Sequence, residues 1–375
     1  MERRGLFRSG SSARFPLVLL SRERGAARAA DQGAPALPRR SVAAGPVVAV
    51  VTLVAALLAT RAAGVPLRDP DGVAGRRFVW VVCLVVALVG VDVVVRAARR
   101  SGTLTPSRAA MRSVRRERWS WHRGVAVGSA LVSFYVSYLA YRNLKSVVPL
   151  LRPGDLFDRQ LADFERGLFG GNDPAALLHS LLGTGVQTQV LSIVYVFFIL
   201  FVPLSLAAAV VFSPNLPGGL FYATAASLNW PLGAASYLLL PALGPIYAEP
   251  AGFAHLPASD ASALQGLLLD ERLEFLRDPV ASGAAQSIAA FASVHISMIF
   301  TAAVAAHLLG LARRLRIALW VLLAVTTAAT IYLGWHYVID DLVGVIIGLA
   351  ALALARALTG FEPRTKRRRP REAPG

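Results

Sequence analysis

Residues 316–359 read RIALWVLLAVTTAATIYLGWHYVIDDLVGVIIGLAALALARALT, and this stretch decides the fold. It holds two apolar runs, 316–334 and 337–359, each about as long as a helix needs to cross a ~30 Å hydrocarbon layer. Almost nothing separates them, so they form a tight helical hairpin around Gly334 to Tyr337. In lipid every backbone amide must be paired internally, which makes such runs helices and not strands. The junction also carries two ionisable residues, His336 and Asp340.

Outward from this hairpin the same signal recurs. Apolar stretches at 42–60, 78–95, 124–141, 189–212, 219–240 and 287–311 bring the expected spans to eight. Hydrophobic residues make up 55% of the 375 residues and charged ones only 16%, well below the share in a soluble globular domain. The net charge of +17 is not spread over a face with interleaved readers, as nucleic-acid binding requires. It sits in clusters flanking the spans. Residues 1–40 hold nine Arg against three acids, 96–123 nine Arg against one, and 360–375 six Lys or Arg against two. Such clusters mark the cytoplasmic side of a membrane protein. We therefore expect no nucleic-acid partner. The one cysteine, Cys83, excludes an internal disulfide and thiolate zinc sites.

With the basic N-terminus inside, the clusters at 96–123, at Arg313, Arg314 and Arg316, and at the C-terminus all fall in the cytoplasm. The loops 142–188 and 241–286, the second with six acids against two bases, fall outside. Only 61–77, with four Arg against two Asp, pulls the other way. The expected organisation is a disordered basic cytoplasmic tail (1–40) and two N-terminal transmembrane helices (41–100). A basic linker (101–123), a six-helix membrane domain (124–359) and a second basic tail (360–375) follow. Both termini lie in the cytoplasm of a multi-pass plasma-membrane protein. In 155–169 apolar Phe157, Leu161, Phe164 and Leu168 recur at helical spacing between charges, the pattern of a short amphipathic helix lying in the interface plane or covering the bundle. Residues 270–278 read as a second, more polar one.

Ionisable residues inside spans are expensive and point to function. On this topology Ser293 and His295 lie about two turns below the outer start of the sixth span, level with His336 and Asp340. Four residues apart on a helix, His336 and Asp340 share one face. The carboxylate can hold one imidazole nitrogen and leave the other as base or nucleophile. A second histidine supplies a proton donor for a leaving group. Arg142, Lys145 and Arg152, at the outer end of the third span, are cations for an anionic phosphate. A transporter or lipid-binding scaffold would instead spread charge along the whole depth, whereas the central and inner parts of the last six spans are nearly uncharged.

Ala-Ser-Val-His at 292–295 and Gly-Trp-His-Tyr-Val-Ile-Asp-Asp-Leu-Val-Gly at 334–344 resemble the type 2 phosphatidic acid phosphatase superfamily. Its motifs are K-x6-R-P, P-S-G-H and S-R-x5-H-x3-D, set in a six-helix bundle. The resemblance implies that His336 is the nucleophile, Asp340 its orienting carboxylate, His295 the acid and Ser293 a phosphate ligand, with no metal and no cofactor. Lys145 to Arg152-Pro153 spells the first motif. Thr330 stands where the third motif has arginine, Ala329 precedes it, and Ala292 and Val294 replace proline and glycine. These losses, with Leu-Asn-Trp-Pro-Leu-Gly (228–233) and Pro-Ala-Leu-Gly-Pro-Ile-Tyr (241–247), resemble the inositolphosphotransferase or inositol phosphorylceramide synthase branch. Tyr247 joins the implied substrate-binding set. The implied partner is a lipid phosphate or phosphoinositide-like substrate, attacked at the extracytoplasmic face. A plain lipid or prenyl phosphate phosphatase is the alternative.

The orientation is testable by thiol labelling. A cysteine placed at Ser262 should react with an impermeant reagent in intact cells, and one placed at Ala312 should not. The reverse pattern would overturn the topology.

Overall fold

The computed structural model describes residues 38–69, 72–213 and 215–363. The tail expected over 1–40 lies outside them except for its last three residues, and so does all but 360–363 of the C-terminal one. Fourteen α-helices and no strand form among the described residues. They are α1 (Arg39–Ala62), α2 (Val73–Ser101), α3 (Arg108–Arg118), α4 (Trp121–Ser146), α5 (Val148–Leu151), α6 (Asp158–Leu168), α7 (Pro174–Leu182) and α8 (Val186–Phe212). After them come α9 (Leu216–Leu239), α10 (Pro245–Ala248), α11 (Asp260–Arg277), α12 (Val294–Leu308), α13 (Arg313–Tyr332) and α14 (Val338–Thr359).

Six of these, α1, α2, α4, α8, α13 and α14, are long and apolar enough to cross a membrane. They turn valines, leucines and tryptophans outward, among them Val50, Val51 and Leu58 of α1, Trp80 and Val86 of α2 and Ile193 and Leu200 of α8. In water such a surface would be untenable; in lipid it is the expected one. The chain is a multi-pass membrane protein. Of the eight expected spans, the fifth corresponds to α9. Its middle is buried almost residue by residue from Gly218 to Trp230, so it is packed by other helices and needs no lipid-facing stripe.

The sixth expected span, 287–311, is shorter than its apolar run. Helix α12 begins only at Val294. The segment before it runs non-helically through the interior because its amides find partners elsewhere: Ala290 N–H donates to the Ala242 carbonyl at 2.8 Å and Ala292 N–H to Ser236 Oγ at 2.9 Å. Irregular backbone survives inside a membrane protein where the protein satisfies it or it lines a cavity, and here both hold. His295 therefore sits in the first turn of its helix and not two turns down. The expected helix over 270–278 is the second half of α11, which starts ten residues earlier behind a Ser259–Ser262 capping box.

The N-terminal pair is built into the bundle. Helix α1 packs along α4 and also touches α9 and α14, while α2 lies against α8 and α4. Arg118 of α3 bonds Asp92 of α2 at 2.7 Å and ties the basic linker to the second span. At the other end of the bundle, α6 is a clamp. Buried Asp158 accepts from the N–H groups of Leu243 and Gly244 and from the Tyr337 hydroxyl, and Glu165 accepts from Val338 N–H, the start of α14, at 2.9 Å. The expected amphipathic helix thus holds the hairpin turn in place, with Phe164 and Leu168 left facing outward.

Two tests follow from this packing. A Cβ on Gly344 would lie 2.5 Å from the Ser293 carbonyl oxygen, whereas one on Gly128 meets nothing within 4 Å. Gly344→Ala should lower stability by about 1–3 kcal/mol, measured by melting in detergent, and Gly128→Ala should not. Burial raises the Glu165 carboxyl from 4.5 to about 7. A group that binds its proton more tightly when folded stabilises the fold at low pH, and that contribution is lost as pH rises from about 4.5 through about 7. Glu165→Gln keeps an acceptor for Val338 without the charge, so it should melt higher than wild type at pH 8 and converge with it at pH 5. A gap that does not change with pH would contradict this reading of Glu165.

Candidate active site

The site forms where the starts of α12 and α14 meet. Helix α13 ends at Tyr332, and Gly334 turns the chain at φ +72°, with the Phe253 ring filling the space a side chain would need. The N–H groups of Trp335 and His336 both donate to the Thr330 carbonyl, at 2.9 and 3.3 Å. This holds His336 over the end of α13. Asp340 Oδ2 then accepts from Tyr337 N–H at 2.9 Å and lies 3.5 Å from His336 Nδ1. From the other side, Ser293 caps α12 with its hydroxyl and donates its own N–H to the Asp340 carbonyl at 3.0 Å. One backbone hydrogen bond therefore ties the two histidine-bearing helix starts together. The His295 and His336 rings end 6.1 Å apart, centroid to centroid.

Neither imidazole is loose. His295 stacks on Tyr195 at 4.5 Å and packs against Phe198 at 4.0 Å, and Tyr195 stacks in turn on Trp335 at 4.7 Å. Burial lowers the His336 pKa to about 4, so the ring is neutral near pH 7, the state a nitrogen nucleophile requires. Its Nδ1 and Asp340 Oδ1 are buried without a hydrogen-bond partner. The 3.5 Å separation is an ion-pair contact short of a hydrogen bond, and such contacts in unliganded sites often tighten when substrate binds.

Both histidines line one cavity of about 500 Å³. Of the other residues expected from the sequence, Lys145, Arg142 and Tyr247 line it too. The Lys145 ammonium lies 4.9 Å from the Tyr237 ring centroid, Arg142 also bonds Asp69 at 3.3 Å, and the Tyr247 hydroxyl donates to the Gln265 carbonyl. Arg152 is not brought there. It bonds Asp155 and the Leu238 carbonyl, each at 2.7 Å, beside a separate small recess. Ser293 lies behind the cavity wall, fully buried, as a cap and a backbone donor.

Some site residues were not singled out in advance. Asp341 is buried, and its Oδ2 accepts from the Thr330 hydroxyl at 2.7 Å, with Ser293 a further partner. The position expected to hold an arginine thus holds a hydroxyl that meets a second carboxylate. The Asp340-Asp341 doublet was the available signal, since two adjacent acids at the head of an apolar helix cannot both face lipid. Tyr141 and Tyr237, hydroxyl to hydroxyl at 3.2 Å, and Phe198, Val202 and Trp230 give the cavity a long aromatic and apolar wall. Chemically, the arrangement offers a neutral imidazole backed by a carboxylate, a second imidazole for proton transfer, cations for an anion and an apolar slot.

A family model described as the PAP2 superfamily matches residues 159–354, more than half of the chain and the part that carries His295, His336 and Asp340. No curated protein and no solved structure matches it. Helices α1, α2 and α4, with Arg142 and Lys145, precede the matched segment. The all-helical membrane architecture fits the same family, and the chain belongs to the PAP2 superfamily, whose members are phosphatases.

Proposed function

We propose that the protein transfers a phosphoryl-containing group from a lipid phosphoester through a phosphohistidine on His336, at the extracytoplasmic face, with both termini in the cytoplasm. The observation that carries the reading is the pairing of His336 with Asp340 and its 6.1 Å approach to His295 inside one cavity. Asp340 faces Nδ1, so Nε2 attacks phosphorus. The bond from phosphorus to the leaving oxygen breaks, and His295 gives that oxygen its proton. Water or a second hydroxyl then attacks the phosphohistidine, returns a proton to His295 and frees His336. Lys145 and Arg142 balance the charge on the phosphoryl oxygens, a role that in enzymes generally contributes several kcal/mol when the donors are preorganised.

The apolar wall supports an amphiphile as substrate, since a cavity of this volume with few convergent polar groups suits a chain and one headgroup. The motif losses at Thr330, Ala292 and Val294 and the stretch through Tyr247 support an inositolphosphotransferase-like enzyme, which would move a phosphoinositol-type headgroup to a lipid hydroxyl. Hydrolysis to free phosphate is the plainer outcome of the same machinery. Purified protein incubated with lipid phosphates and phosphatidylinositol, with and without a lipid acceptor, separates the two by product.

The roles separate by leaving group. His295→Ala should slow turnover of an alkyl phosphoester by roughly 10²- to 10⁴-fold, the usual worth of general acid catalysis, and a nitrophenyl ester far less. His336→Ala should abolish turnover of both. Equal losses with both esters in the two variants would overturn the assignment.

A further inference from the structure

The arginines of 61–77 run against the charge rule that the rest of the chain obeys, and the structure accounts for part of the excess. Arg68 is fixed by the carbonyls of Ser282 and Pro279. Arg77 has no such duty. It lies about one turn into α2, on a helix otherwise apolar enough to span a membrane, and its Nη1 donates to the Tyr138 hydroxyl at 2.6 Å with the guanidinium 5.6 Å from that ring's centroid. A neutral phenol takes one of five N–H donors. Among the described residues no carboxylate forms an ion pair with it. Ionisable residues within a span that face the bundle interior or a cavity mark ligand pathways.

Arg77 lines the same cavity as His336 and Lys145, and Val73, Trp80 and Val81 of α2 join it. Tyr138 and Lys145 are seven residues apart on α4, about 10 Å along the helix axis. Stacked Tyr138 and Tyr141, with Lys145 over the Tyr237 ring, fill the interval. The cavity therefore presents cations at two levels, one beside the histidines and one at the wall formed by α2. A diphosphate, whose two phosphorus atoms share a bridging oxygen, is too short to reach both.

We propose that Arg77 and Tyr138 form a second oxyanion subsite, about two helical turns from the phosphate centre, which binds a further anionic group of a lipid. The group is a phosphate or carboxylate carried by the substrate itself or the phosphate of a second lipid lying alongside. The spacing, though not the binding, rests on reading His336 as the phosphate centre. Because α2 lies outside the segment matched by the family model, the subsite is an addition by this chain's N-terminal helices.

The test is calorimetric binding in neutral detergent micelles, which needs no turnover and is repeated in His336→Ala protein. The probes are dodecyl phosphonate, a dodecyl phosphonate bearing a second phosphonate on a spacer of about 10 Å, and phosphatidylglycerol. If the substrate carries both anions, the two-anion probe binds at least about tenfold more tightly than the one-anion probe, the worth of one good charge-assisted contact. Arg77→Gln then erases that gap and Arg77→Lys keeps part of it. If a second lipid supplies the anion, the gap is absent, and saturable phosphatidylglycerol binding weakens at least about fivefold in Arg77→Gln. Should Arg77→Gln not melt as a folded protein, Tyr138→Phe removes only the hydroxyl and should narrow whichever effect is seen by about threefold. No gap and no Arg77-dependent lipid binding, or a gap unchanged in the folded variants, overturns the proposal. A gap that persists in His336→Ala protein, with neither hydrolytic nor transfer activity in wild type, would leave the subsite standing and fail the phosphohistidine reading alone.

Discussion

The site depends on the contact between the starts of α12 and α14. Ser293 N–H reaches the Asp340 carbonyl at 3.0 Å, and Gly344 and Gly348 lie so close to α12 that a methyl group on either would collide with it. Small residues let membrane helices approach backbone to backbone, and the approach is driven by packing and hydrogen bonds since lipid offers no hydrophobic gain. Here the approach has a chemical consequence. It brings the imidazole of α12 and the one just ahead of α14 to 6.1 Å, centroid to centroid, which neither helix could do alone.

Around that contact, polar groups are spent on position. Asp158 and Glu165 of α6 hold the 243–244 backbone, Tyr337 and the start of α14 from one side, and Thr330 holds the backbone of His336 and the carboxylate of Asp341 from the other. Buried polar groups left half-satisfied are expensive. At the centre, His336 Nδ1 and one oxygen each of Asp340 and Asp341 are buried without a hydrogen-bond partner, and of these three residues His336 is the one that lines the cavity. The basic side chains that line the cavity, Arg142 and Lys145 of α4 and Arg77 of α2, stand on helices other than α13, which carries Thr330. All three precede the family-matched segment.

Most of the architecture was legible because hydropathy at the scale of a bilayer is a coarse signal and survives irregularity. All eight expected spans have a helical counterpart, and the hairpin at Gly334–Tyr337 is where the last two runs meet. The failures are local and share a cause. Residues 287–293 are as apolar as the helix after them, but their amides bond Ala242 and Ser236, distant in sequence, and tertiary partners outweigh local propensity. The convergence of His295, His336, Asp340, Lys145 and Arg142 could be read from spacing and depth, and Tyr247 came with the family resemblance. The exit of Arg152 to Asp155 and Leu238 could not, since a motif read along the chain says nothing of which way a side chain turns. Asp341 and Arg77 carried signals that were there to be weighed, an acidic doublet and a surplus of arginine on the wrong side.

The central claim is that His336 carries the phosphoryl group. Brief incubation with a phosphorus-labelled lipid phosphoester, an alkaline quench and peptide mass spectrometry read it directly. The account predicts a labelled peptide spanning Gly334–Tyr337 whose phosphate is stable in alkali and lost in acid, the behaviour of a phosphoramidate. A label on Asp340, Asp341 or a serine, or a His336→Ala protein that still labels, would contradict it.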